Sequence, residues 1–188
     1  DGNGGFSYAT TMTWPSDGSV SIYAYAPYNS EYTLSSACNF SVAADQSTDA
    51  GYLASDLIYG TPTANNPISK TQDGNVAMSF AHKLSKINIG FINNDATVDL
   101  KGATVSILGT LPATSFNITE GTVAAASGAA TSIKAAVFAS DATEFKASAI
   151  IVPQTIAAGT SFVQIETADG KTLVAKLGAE VTFAGGRN

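Results

Sequence analysis

The sequence is poor in the residues that most chemistry requires. It has one histidine, one cysteine and one tryptophan in 188 residues. A zinc site built from several histidines is therefore excluded, and Cys38 supplies at most one soft ligand. A single cysteine also leaves no intramolecular disulfide, so packing and strand pairing alone must hold the fold. Charge is scarce too: Asp, Glu, Lys and Arg make up 13%, about half the ~25% of an ordinary soluble domain. The balance is nine basic against fifteen acidic residues, net −6, which repels phosphate and argues against a nucleic-acid binder. No apolar run approaches the ~18 residues of a membrane span. Disorder is excluded by the 45% hydrophobic content combined with low charge. The chain opens at Asp1 without an initiator Met or signal segment, as expected of a mature or trimmed product.

What the sequence does have is alternation. Val20, Ile22, Ala24 and Ala26 alternate with Ser21, Tyr23 and Tyr25; Val76, Met78 and Phe80 alternate, and so do Ile87, Ile89 and Phe91. This period of two is that of strands with one buried face. The phase slips by one residue near Leu84, which predicts a β-bulge around His82 and Leu84. Further strands are expected over 103–108, 115–118, 133–138, 149–152, 162–167 and 173–177. Asp169-Gly170 is expected to join the last two as a type I′ hairpin. Helix is limited to a turn within 47–57. The fold class is therefore all-β, of sandwich type. All seven tyrosines lie between Tyr8 and Tyr59, and the turn-rich stretch from Gly60 to Asn75 follows them. That shift places a boundary between an N-terminal domain over 1–73 and a C-terminal domain over 74–188.

Catalytic constellations do not assemble from these residues. A Ser-His-Asp triad would need His82, and no Gly-x-Ser-x-Gly elbow supplies its nucleophile. Asp45, Asp49 and Asp56 cluster, but their spacing fits no calcium loop, so they read as turn and capping carboxylates. No enzyme activity, cofactor or metal is expected. Trp14, Tyr23, Tyr25 and Tyr28 form either part of the core or an exposed aromatic platform of the kind that stacks on sugar rings. Cys38 ends a Leu-Ser-Ser-Ala-Cys string with the outline of a lipoprotein cleavage box. It lacks the preceding apolar segment and is read as a small buried residue.

The order of short motifs is more specific. Trp14-Pro15, Ser21-Ile-Tyr-Ala-Tyr-Ala-Pro27-Tyr28, Phe40-Ser-Val42, Asp45-Gln46-Ser47, Ser55-Asp56-Leu-Ile-Tyr59-Gly60 and Val76–Ile87 occur in succession. Ile151-Val-Pro-Gln-Thr155, Asp169-Gly-Lys-Thr-Leu173 and Val181-Thr-Phe-Ala-Gly-Gly186 follow. Over nearly its whole length the chain resembles the fimbrillin family, the Mfa-like and FimA-like surface proteins of Bacteroidales. The resemblance implies two tandem transthyretin-like β-sandwiches, export as a lipoprotein to the outer membrane and cell surface, and no active site. It also implies assembly with other fimbrial subunits by strand donation, with a host or bacterial surface glycan or protein as a further partner. Both ends depart from the family pattern: members carry strands before Trp-Pro and continue past the Phe-x-Gly-Gly turn. A sandwich lacking a terminal strand is expected to expose a groove, with its truncated edge at Phe183, Gly185, Gly186 and Arg187. The role expected is that of a fimbrial stalk, tip or anchor subunit; the alternative is a non-catalytic carbohydrate-binding surface module using the aromatic platform.

Overall fold

The computed structural model describes residues 13–71, 74–95, 97–141 and 144–186. In chain order its elements begin with β1 (Ser19–Val20), β2 (Ala24–Ala26), β3 (Cys38–Ser41), α1 (Asp49–Ala54), β4 (Ile58–Pro62) and β5 (Ile68–Ser69). Next come β6 (Met78–His82), β7 (Ser85–Ile92), β8 (Thr104–Thr110), β9 (Ala113–Asn117), β10 (Thr122–Val123) and β11 (Thr131–Lys134). The last are β12 (Ala136–Ser140), β13 (Glu144–Ile151), β14 (Gln154–Ile156), β15 (Ser161–Glu166), β16 (Thr172–Lys176) and β17 (Val181–Phe183).

The main sandwich stacks the sheet β11-β8-β15-β16 on the sheet β12-β13-β7. Val105, Ile107 and Ile133 from the first and Phe145, Ala149 and Ile151 from the second share one core. Residues on these strands alternate because successive side chains point to opposite faces. The apolar run Ala149–Val152 breaks that alternation because β13 is covered on both faces. Its outer face lies under α1, where the Tyr52 hydroxyl meets the Ser148 hydroxyl at 2.8 Å. Beside this sandwich the sheets β2-β4-β6 and β10-β9-β3 pack through rings. Phe116 of β9 takes the edge of Tyr59 at 5.8 Å and of Tyr25 at 6.3 Å. Gly121 sits against the Tyr59 ring, where a Cβ would collide with it, and its φ of +64° also favours glycine.

Strands cross the expected domain boundary. β4 pairs with β6, β3 pairs with β9, and Gln46 reaches Ile150.

Several strands change sheet partway, which is how sandwich corners are made. The phase slip at Leu84 is one such corner rather than the bulge the alternation predicts: β6 ends at His82 in one sheet and β7 begins at Ser85 in another. Alternation reports which face a side chain takes, not which sheet it joins, so the two look alike in sequence. The run 133–138 is likewise two strands, β11 and β12, with Ala135 turning between the sheets and donating to the Val105 carbonyl at 2.8 Å. The Asp169-Gly170 connection also differs. Only Gly170 has positive φ, and the loop is longer than two residues because the Thr167 hydroxyl accepts the Lys171 N–H at 2.9 Å.

Candidate functional site

Side-chain amides close the gaps that these corners leave. Gln46 is fully buried; its Nε2 donates to the Ile150 carbonyl at 2.8 Å and its Oε1 accepts the Ile150 N–H at 2.7 Å. The backbone around it joins Lys134: Gln46 N–H donates to the Lys134 carbonyl at 2.8 Å, and Lys134 N–H to the Ala44 carbonyl at 2.8 Å. Gln154 treats Leu111 in the same way, at 3.0 and 3.2 Å, and Asn66 treats Ile22, at 2.8 and 3.0 Å. Each amide supplies one acceptor and one donor, as a peptide group does, and so satisfies a backbone residue where the ladder has stopped. In the sequence Gln46 and Gln154 stand inside the motifs Asp45-Gln46-Ser47 and Ile151-Val-Pro-Gln-Thr155, with no sign there of this role. An amide whose partner lies about a hundred residues away resembles a loop residue until the chain is folded.

The opposite side of the main sandwich is open. Between β7 and β16 runs a groove of about 540 Å³, walled by Ile89 and Phe91 on one side and Leu173 and Ala175 on the other, with Val163 and Ile165 as its floor. Both walls are outer strands, and no described strand pairs with their free edges. Exposure rises along β7: Ser85 and Ile87 are buried, while Ile89 and Phe91 are half-buried.

The residues expected to carry function fall in three places. Tyr23 and Tyr25 are half-buried and turn toward the core, and Tyr25 stacks at a tilt on Tyr32 at 5.5 Å. Tyr28 points outward at 82% exposure, and Trp14 is half-buried. Of the four, Tyr28 is the one turned fully to solvent. Burial raises the Tyr25 and Tyr59 phenols above their usual range, with neighbouring phenols adding to it. His82 is mostly exposed, with Nδ1 at 2.7 Å from Oδ1 of Asp56, while Leu84 is buried. Phe183 stacks on Phe162 at 5.3 Å. Gly185 lies where a Cβ would run into the Lys83 carbonyl, and Gly186 N–H donates to the Leu84 carbonyl at 2.9 Å. Gly185 and Gly186 thus fasten the β6–β7 corner, Phe183 packs on β15, and none of the three lines the groove; Arg187 lies outside the described residues.

The carboxylates act as turn formers. Asp45 accepts the Ser47 hydroxyl at 2.5 Å and its N–H at 2.9 Å, Asp95 the Thr97 hydroxyl at 2.7 Å and its N–H at 2.9 Å, and Asp169 the Thr167 hydroxyl at 2.5 Å. These bonds lower all three carboxyls below the usual range, with Lys171 assisting at Asp169. Thr48 caps α1 by accepting Gly51 N–H at 3.2 Å. Among the described residues, no three His, Cys, Asp or Glu side chains converge as a metal site would require.

This corner-built sandwich has known counterparts. A family model described as fimbrillin-like matches residues 1–188. The chain belongs to the fimbrillin-like family. Its fold is similar to that of solved Bacteroides structures described as "putative cell adhesion protein". For that from Bacteroides uniformis the TM-score is 0.63 at 23% identity, covering 94% of this chain and 69% of that one. For that from Bacteroides ovatus it is 0.62 at 23% identity, covering 86% and 58%. A third, from Bacteroides thetaiotaomicron, gives 0.53 at 15% identity, covering 88% and 61%. The chain thus spans about three-fifths to two-thirds of the length of these proteins. Among curated proteins none is matched.

Proposed function

We propose that this fimbrillin-like chain is a structural, non-catalytic subunit of a cell-surface fimbrium, and that it takes up a β-strand from a neighbouring subunit in the groove between β7 and β16. The groove carries this reading; the family and the adhesion proteins of similar fold support its setting. Magnitudes favour a strand over a simple apolar plug. Completing the burial of the half-exposed Ile89, Phe91 and Leu173 is worth about 1 kcal/mol each, half the value of burying such a side chain outright. Roughly 3 kcal/mol falls short of the ~4–15 kcal/mol that association costs. An extended segment adds main-chain hydrogen bonds along the free edges, which a compact ligand cannot.

Electron microscopy of the full-length protein, assembled with and without Ile89→Asp, tests the proposal. The charge is expected to abolish filaments while shifting the monomer's Tm by under about 5 °C, since the side chain is half-buried. Filaments of unchanged yield from the variant would overturn it.

A further inference from the structure

We propose that Lys171 is the end stop of the β7–β16 groove, a positioning residue that sets the register of the incoming strand. This rests on the strand-uptake reading above, and the accepting edge comes first. Natural sheets guard their edges with bulges and lysines. The pairing of β11 is irregular between Thr131 and Ile133, and that of β12 between Val137 and Ala139. β16 is bracketed by Lys171 and Lys176. β7 has neither device over most of its length: its eight residues pair with β13 one for one without a shift, and its only lysine, Lys86, stands near its start. The incoming backbone is therefore accepted by β7, and its alternate side chains turn toward Ile89, Phe91 and Leu173.

The end of that edge is where Lys171 acts. Its Nζ donates to the Thr97 carbonyl at 2.6 Å and pairs with Asp169 Oδ2 at 3.1 Å. Thr97 lies in the loop that leaves β7, and Lys171 immediately precedes β16, so the ammonium ties the continuations of the two walls together at the Phe91 end. Both halves of this clasp are braced. Asp95 accepts the Thr97 hydroxyl at 2.7 Å, and Asp169 accepts that of Thr167 at 2.5 Å. A strand sliding along β7 meets the clasp and stops. Without it, a slip of two residues would keep the same side chains inward, so the alternation alone cannot fix the register.

The test uses the folded chain carrying Ile92→Cys, at a strongly exposed position at the end of β7. The probe is a set of ten-residue peptides alternating valine with threonine or lysine, each with one cysteine at a different outward position. Disulfide yields are read by mass spectrometry. In the otherwise unaltered chain, one peptide position should cross-link with about tenfold preference. Adding Lys171→Met should spread the yield over positions two residues apart, and Lys171→Arg should restore the single position. The same distribution in the presence and absence of Lys171→Met would overturn the end stop while leaving strand uptake intact. Failure of every peptide to cross-link or to protect β7 amides from hydrogen exchange would overturn both.

Discussion

The main sandwich has two lateral seams, and they are closed by different means. On one side β11 turns through Ala135 into β12, so a single chain bridges both sheets, and Gln46 seals the remaining gap at Ile150. On the other side β7 and β16 belong to distant stretches of sequence, no described strand bridges them, and the groove stays open. Core residues beside both seams are well packed: Ile133 is fully buried near the first, and Ile165 is 4% exposed in the floor of the second. The open seam is thus not a weak core. It is a place where the pattern of connections leaves two edges free, and that distinction separates an acceptor surface from a packing defect.

Truncating one side chain at each seam should destabilise the fold unequally. Ile133→Ala is expected to cost about 3–4 kcal/mol by leaving a cavity in a closed corner. Ile89→Ala should cost about 1 kcal/mol, since its side chain is already half in water. Urea unfolding of the two variants measures the gap, and equal losses would mean that the seams do not differ. Next in size is Gln46→Leu, which strands the Ile150 N–H and C=O in the core. The expected loss is about 2–3 kcal/mol in the same assay, with an unchanged denaturant slope. A loss below about 1 kcal/mol would show that the amide does not seal the corner.

The smallest effect sharpens the contrast through pH. Asp45 lies beside the sealed seam, and Asp169 belongs to the clasp at the open one. Both carboxyls are held below their unfolded value of about 3.9. A depressed carboxyl adds stability that is fully present above that value and lost as pH falls through the folded one. Tm should therefore be flat from about pH 5 to 8 and decline below about pH 4. Asp45→Asn and Asp169→Asn should each remove part of that decline, as differential scanning calorimetry would show. A Tm that falls already at pH 6 would contradict the assignment.

Local pattern carried the reading of the strands and missed their connections. The alternation of Ile87, Ile89 and Phe91 identifies β7 and its inward face; Ile87 lies in the core, and Ile89 and Phe91 line the groove. Asp45 was legible as a turn former because its partner lies two residues away, whereas the cap of α1 falls on Thr48 and not on one of the expected carboxylates. The corners were not legible, because a phase slip at Leu84 and an unbroken run through Ala135 give no sign of which sheet follows. Tyr25 and Tyr28 could not be told apart by spacing, since what separates them is a ring on β9 far along the chain. Lys171 looked like an ordinary hairpin residue; its contact with Thr97 depends on how two loops end up side by side.

The amide clamps also bear on chemical ageing. Deamidation turns an NH₂ donor into an oxygen that would face the carbonyl it once served, so a clamp would be lost in one step rather than loosened. In asparagine, the usual first step is attack on the side chain by the backbone nitrogen of the next residue. Of the three clamps, only Asn66 is an asparagine, and the residue after it is Pro67, which has no N–H to make that attack.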